Sequence, residues 1–172
     1  MTDNIRVLHA KYVLPIIPVD TVFENHCVVI KNGVIQEIIE SSVGRKKHPH
    51  AEHQSFSESI LMPGLVNTHC HSAMTLLRGY ADDYLLSDWL QKHIWPAEAK
   101  WVDYDFVHQG TTIAIDEMLK SGTTCFSDMY FFPNAAAKAA LDTGMRAVLS
   151  FPVMDFSNQW AKSSETHLEK GL

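Results

Sequence analysis

In MPGLVNTHCHSAM, Met62 to Met74, two histidines stand one residue apart directly behind an apolar run. Neutral imidazoles are good ligands for Zn²⁺, and a catalytic zinc site typically uses three protein ligands with one position left for water. His69 and His71 are therefore candidate metal ligands. With 10 histidines in 172 residues, an H-x-H pair also arises by chance. His48-Pro49-His50 has the same spacing, but it sits in a polar stretch beside Arg45-Lys46-Lys47 and reads as solvated. His69 and His71 instead follow ILMPGLVN, an apolar run of the kind that forms a strand buried on both faces. Side chains two apart on a strand share a face. At the C-terminal end of a barrel strand both rings would reach the mouth where such folds keep their chemistry. Spacing and context leave two readings open: a metal site, and a packed or turn-stabilising pair.

The elements that must hold these residues can be read from periodicity and turn chemistry. Residues 1–58 read as an N-terminal β segment. In HCVVIKNGVIQEII two β-branched runs flank Asn32-Gly33, a pair suited to the positive φ angles of a two-residue hairpin turn. SSVGRKKHPHAEHQSFSES is polar and reads as a loop. The second unit, residues 59–172, opens with the apolar run, and an irregular segment follows. DYDFVHQGTTIAIDEMLKSG then predicts a helix that ends at Gly122, TTCFSDM a second strand, and PNAAAKAALDTG a helix with Pro133 in its first turn and Gly144 at its C-cap. MRAVLSFPVMD reads as a third strand, and SNQWAKSSETHLEKGL as the start of a third helix. Strand and helix in alternation imply a parallel sheet with crossover helices. A closed (β/α)8 barrel takes about 250 residues, so the expectation is an α/β chain carrying about the first three βα units of something larger.

Composition narrows the function classes. The chain is 46% apolar and 20% charged, as globular proteins are, with a formal net charge of −6. Its longest cationic run is Arg45-Lys46-Lys47, which argues against nucleic acid or an anionic membrane as partner. Cys27, Cys70 and Cys125 are far apart and form no C-x-x-C, which fits a reducing compartment. The first residues show no secretory leader, and no stretch approaches the roughly 18 apolar residues of a membrane span. The expectation is a soluble, cytoplasmic chain.

PGLVNTHCHSAMTLLRG resembles the first-strand signature of the amidohydrolase superfamily, within it the methylthioadenosine/S-adenosylhomocysteine deaminase group. DWLQKHIWPAEAKW, MLKSGTTCFSDMYF and DTGMRAVLSFPVMD continue the resemblance over nearly the whole chain. It implies a metal-dependent (β/α)8 TIM barrel joined to a small β-sandwich, to which residues 1–58 would contribute. It implies Zn²⁺ or Fe²⁺ on His69 and His71, one divalent ion in the complete protein, with further ligands and the proton-handling residues in strands beyond Leu172. The implied reaction is hydrolytic deamination of a 6-aminopurine nucleoside, in which a metal-activated water attacks the amine-bearing ring carbon. The implied partner is that small nucleoside; a homo-oligomer is compatible with the complete protein.

On its own Glu98, in IWPAEAKW, reads as a surface carboxylate in an irregular segment. The resemblance makes it the substrate-binding residue whose carboxylate accepts hydrogen bonds from ribose hydroxyls. Trp89, Leu90, Ile94 and Trp95 read either as pocket wall or as plain core. Cys70 should point away from the metal, Cys125 should pack, and Arg78-Gly79 should fix the loop after the first strand. Asp128 ends the second strand with no assigned role. Relatives that accept S-adenosylhomocysteine place arginines near the third strand to hold its carboxylate. Here no arginine follows Arg146, Phe151-Pro152 stands at the first expected position, and Lys162 is the only basic residue near the second. That favours 5′-methylthioadenosine over S-adenosylhomocysteine, since the bidentate guanidinium pair is missing. Alternatives are a triazine chlorohydrolase-like or other ring aminohydrolase, and a non-catalytic fragment or binding remnant. For the 172 residues alone, the expectation is no deaminase activity.

Overall fold

The computed structural model describes residues 4–172, which divide into two compact units, one up to Pro63 and the other Gly64–Leu172. In the first unit β1 (Ile5–Val13) is the hub of a 5-stranded sheet. It pairs antiparallel with β2 (Phe23–Glu24) and β3 (His26–Lys31), and β3 pairs antiparallel with β4 (Val34–Glu40). Asn32 and Gly33 take φ of 51° and 80°, the positive angles expected of the hairpin. One face buries Val7, Cys27 and Val29; the other buries Ala10, Val13 and Val28.

The polar stretch read as a loop is instead structured. It forms α1 (Ser41–Lys47) and β5 (Glu52–Leu61), which runs parallel to β1. β5 looked like a loop because most of its side chains are exposed, so it shows no apolar alternation. Backbone pairing holds it, and that leaves no compositional trace. His48 is also more than a solvated residue, since its Nε2 lies 3.2 Å from Glu37. Because β5 reaches Leu61, the boundary between units falls at Pro63/Gly64 and not at residue 58.

In the second unit β6 (Leu65–Cys70), β7 (Thr123–Met129) and β8 (Arg146–Ser150) form a 3-stranded parallel sheet in chain order. The run ILMPGLVN is thus split by Pro63: Ile60 and Leu61 belong to β5, Leu65 and Val66 to β6. It is not buried on both faces either, since Leu65 and Val66 are 52% and 60% exposed.

A 3₁₀ turn (Ser72–Leu77) leaves β6. The segment expected to be irregular then becomes helical: α2 (Leu86–Asp88), a π-helical stretch (Trp89–Ile94) and α3 (Trp95–Trp101) follow without a break. α4 (Tyr104–Lys120) starts where Asp103 accepts the Phe106 N–H at 2.8 Å, an N-cap that satisfies one of the helix's free donors. α5 (Pro133–Thr143) has the predicted proline start and ends at Gly144, φ 72°. α4 packs so closely on the 3₁₀ turn that a side chain at Gly110 would collide with the Ala73 backbone. The last helix, α6 (Ser164–Gly171), starts later than predicted. Asn158 Oδ1 accepts the N–H groups of Trp160 and Ala161, both at 2.9 Å, which turns the chain away from a helix. A Ser163–Thr166 capping box then begins α6.

Candidate functional site

β6 carries His69, and His71 follows at the strand's C-terminal end, where the chain turns into the 3₁₀ segment. The two ring centroids are 5.1 Å apart and the planes stand at 81°. His71 Nδ1 lies 2.7 Å from the Met129 carbonyl oxygen. A carbonyl only accepts, so Nδ1 carries the proton and the Nε2 lone pair is left free. This is the tautomer a metal ligand needs, oriented by a second-layer hydrogen bond of the usual kind.

Asp128, one residue earlier on β7, acts on the same loop. It is 2% exposed, and its Oδ1 accepts the Ser72 N–H at 2.6 Å. Burial pushes its carboxyl above the ordinary range, and the hydrogen bonds from Ser72 and Cys70 oppose that shift. Ser72 Oγ in turn meets Thr111 Oγ1 of α4 at 2.9 Å. The Cys70 thiol is pushed up to about 12, by burial first and then by Asp128. It stays protonated, donates to the Ser127 carbonyl at 3.4 Å and packs with the Ile115–Phe126 cluster. It therefore turns toward β7 and α4, as alternation along β6 requires.

Glu98 sits in the middle of α3, which is helical where the sequence suggested irregular chain. The Trp89 indole N–H donates to the Ala81 carbonyl at 2.9 Å and anchors the preceding π-helical stretch. π-helical turns of this kind are rare and frequent at functional sites. Glu98 Oε1 accepts the Tyr130 hydroxyl at 2.6 Å. Burial raises the Glu98 carboxyl, while the Tyr130 hydrogen bond and His71 pull it back down. The Tyr130 phenol is raised far above its usual range by burial and by the Glu98 charge, so it remains the donor.

His71, Glu98 and Tyr130 line one cavity of ≈ 230 Å³. Its other walls are apolar and include Met74, Trp89, Leu90, Ile94, Pro152 and Met154. All four residues read from the sequence as pocket wall or core, Trp89, Leu90, Ile94 and Trp95, thus line it. A few polar groups converging in an apolar pocket is the usual form of a small-molecule site. Among the described residues, no set of three or more His, Cys, Asp or Glu side chains is grouped to hold a metal ion. His69 and His71 supply two nitrogen donors of the type zinc takes, and so they fit part of such a site.

The remaining residues singled out in the sequence fall outside the pocket. Arg78 binds Glu117 of α4 through both guanidinium nitrogens, at 3.0 and 2.6 Å, and so fixes the loop after β6. Cys125 is half-buried within β7. Lys162 Nζ is 3.4 Å from the Asn158 carbonyl. Tyr130 was not among the residues read from the sequence. Its signal was its position at the C-terminal end of a parallel strand, the same signal that marked Asp128.

Comparison with known proteins adds to this geometry. The 5-methylthioadenosine/S-adenosylhomocysteine deaminase of Saccharophagus degradans is 49% identical over 166 residues, which are 96% of this chain and 37% of the relative. The 5′-deoxyadenosine deaminase of Methanosarcina barkeri is 45% identical over 161 residues, 93% of this chain and 35% of its own length. This chain thus spans little more than a third of the curated relatives it matches. A solved adenosine deaminase from Xanthomonas campestris, with bound zinc, superposes with a TM-score of 0.88 at 42% identity. That match covers 96% of this chain and 38% of the other. The fold is accordingly the α/β architecture of the amidohydrolase barrels, present here in part. Residues 60–172 match the family model described as the amidohydrolase family. With the histidine pair at the end of β6 and a pocket at the ends of the parallel strands, this chain belongs to the amidohydrolase family.

Proposed function

We propose that His69, His71 and Glu98 form part of the active centre of a divalent-metal-dependent hydrolase that removes the 6-amino group of a purine nucleoside. The preferred substrate is 5′-methylthioadenosine, and S-adenosylhomocysteine is a poorer one. The observation that carries this reading is the cavity that His71 and Glu98 share at the C-terminal end of the sheet. The names of the relatives support the substrate class, and the zinc in the Xanthomonas campestris enzyme supports a divalent ion.

His69 and His71 would hold Zn²⁺ or Fe²⁺. The ion would supply a hydrolytic nucleophile at neutral pH by acidifying water. His71 is prepared for it because the Met129 carbonyl occupies the Nδ1 proton. Glu98 accepts hydrogen bonds from the ribose hydroxyls, and the apolar wall excludes water from around the purine and its 5′ substituent. Pro152 and Met154 line the cavity just beyond β8, where a carboxylate-bearing substituent would need a cation. Arg146, the last arginine of the chain, begins β8 and so stands at the opposite end of that strand. An uncharged 5′ group therefore fits better than an amino-acid tail. The cysteines Cys27, Cys70 and Cys125 are all free, in keeping with a cytoplasmic setting. No helix among the described residues is long and apolar enough to cross a membrane.

The test joins this chain to the part of the Saccharophagus degradans relative that it does not cover. Ammonia release from 5′-methylthioadenosine is then measured beside a His69→Ala control. We expect metal-dependent turnover that His69→Ala abolishes, with a higher kcat/KM for 5′-methylthioadenosine than for S-adenosylhomocysteine. Turnover that survives His69→Ala would remove the metal assignment. Equal or better use of S-adenosylhomocysteine would remove the specificity assignment.

A further inference from the structure

We infer that Tyr130 is a positioning residue for Glu98: its hydroxyl holds one carboxylate oxygen so that the other is presented to a ribose ring. The inference rests on the reading of Glu98 as the ribose acceptor and adds the group that orients it. Tyr130 directly follows β7 and is 4% exposed. Its backbone N–H donates to the Ser150 carbonyl at 3.3 Å, and its ring packs against Phe131 with centroids 5.3 Å apart. The phenol is thereby held by sheet and core, and its hydroxyl reaches Glu98 Oε1 at 2.6 Å. Glu98 belongs to α3, a separate element that has no strand to fix its register. No other hydrogen bond to the Glu98 carboxylate is present among the described residues, so Oε2 keeps its lone pairs for a ligand. A carboxylate free to rotate about its last torsion would lose that freedom on meeting a diol, and a pre-set one does not. Tyr130 is also next in sequence to Met129, whose carbonyl orients His71. The end of β7 thus sets the direction of two functional side chains that come from two other elements.

The experiment uses the metal-free form of the joined protein described above and NMR. Affinity is measured for 5′-methylthioadenosine and for its 2′,3′-dideoxy analogue, in the unmodified chain and in Tyr130→Phe, Glu98→Gln and the double variant. The Glu98 carboxyl is titrated by its ¹³C shift. We expect the unmodified chain to prefer the ribose form and Tyr130→Phe to reduce that preference by about fivefold, the size of a modest hydrogen-bond contribution. Binding of the dideoxy analogue should stay unchanged. Tyr130→Phe should raise the Glu98 titration, because a donor to the charged form has gone. In the Glu98→Gln background Tyr130→Phe should cost nothing further. An equal loss for both ligands would make Tyr130 plain pocket wall, and an unmoved Glu98 titration or an additive double variant would likewise overturn the inference. Preference for ribose that persists in Tyr130→Phe defeats the positioning role alone. A chain that never distinguishes the two ligands defeats the Glu98 assignment, and this role with it.

Discussion

An imidazole binds a metal only through a nitrogen without a proton, so what surrounds a histidine matters as much as the histidine. At His71 the Met129 carbonyl makes that choice, and the neighbouring Asp128 holds the next peptide through the Ser72 N–H. Asp128→Ala would leave that buried N–H without its acceptor, a loss of about 1–3 kcal/mol. Asp128→Asn keeps an oxygen in place and should lose less. Urea unfolding of the two variants measures the difference, and equal midpoints would show that the contact contributes nothing. Glu98 allows a sharper functional expectation. In the joined, full-length protein Glu98→Gln should weaken transition-state binding of ribose-bearing substrates by about 1–3 kcal/mol, through loss of a charged hydrogen bond. It is read as a fall in kcat/KM, and an unchanged value would return Glu98 to the role of an ordinary half-buried carboxylate.

Among the elements, α4 lies hard against the 3₁₀ turn behind His71. Gly110→Ala would ordinarily favour a helix by about 0.5–1 kcal/mol. Here the added methyl meets the Ala73 backbone, so we expect net destabilisation of about 1–3 kcal/mol by overpacking. A thermal melt checks the sign, and a raised Tm would show that the two segments separate without cost. In the first unit β1 and β5 bring His9 Nε2 to 2.9 Å from His53 Nδ1, and His53 Nε2 to 2.9 Å from the His48 carbonyl. The His48 carbonyl accepts the His53 Nε2–H, which leaves His53 Nδ1 to accept from His9 Nε2–H. His9 is held below its ordinary pKa by burial first, then by the charge of Arg45 and by His53. A histidine whose folded pKa lies below its unfolded one binds more protons when unfolded. Its contribution to stability is whole above the unfolded value of about 6.5 and is lost as pH falls below it. Unfolding at a series of pH values should show that loss, and His9→Gln should flatten it.

At the scale of the molecule, the second unit leaves large apolar side chains in water. Val148, Val66 and Leu65 are 64%, 60% and 52% exposed on the 3-stranded sheet, and β6 and β8 each pair with β7 alone among the described residues. Unpaired strand edges with apolar side chains recruit other chains. The 172-residue chain should therefore self-associate as its concentration rises, and light scattering reports it directly. The same chain should bind Zn²⁺ weakly and show no deaminase turnover, because two imidazoles are fewer than the three protein ligands of a usual catalytic site. Turnover that depends on His69 would mean that a second chain completes the site.

Signals that act over a few residues were enough to place much of this structure. The Asn32-Gly33 turn, Pro133 and Gly144 around α5, and the strand TTCFSDM all lie where the sequence puts them. Each states a local backbone preference that the tertiary structure had only to accept. The pairing of His69 with His71 has the same origin, since a strand sends alternate side chains the same way. What the sequence could not show depends on partners far along the chain. β5 is polar because it is exposed, and only its register against β1 makes it a strand. The His71 tautomer depends on a carbonyl 58 residues away, and the Glu98 oxygen is held by a hydroxyl 32 residues away. Parallel pairing of β6 with β7 sets Cys70 opposite Asp128, and that register places both anchors of the histidine loop. Hydrogen bonds across such distances leave no periodicity in the sequence, so the assembled sheet alone decides which nitrogen and which oxygen are free to act.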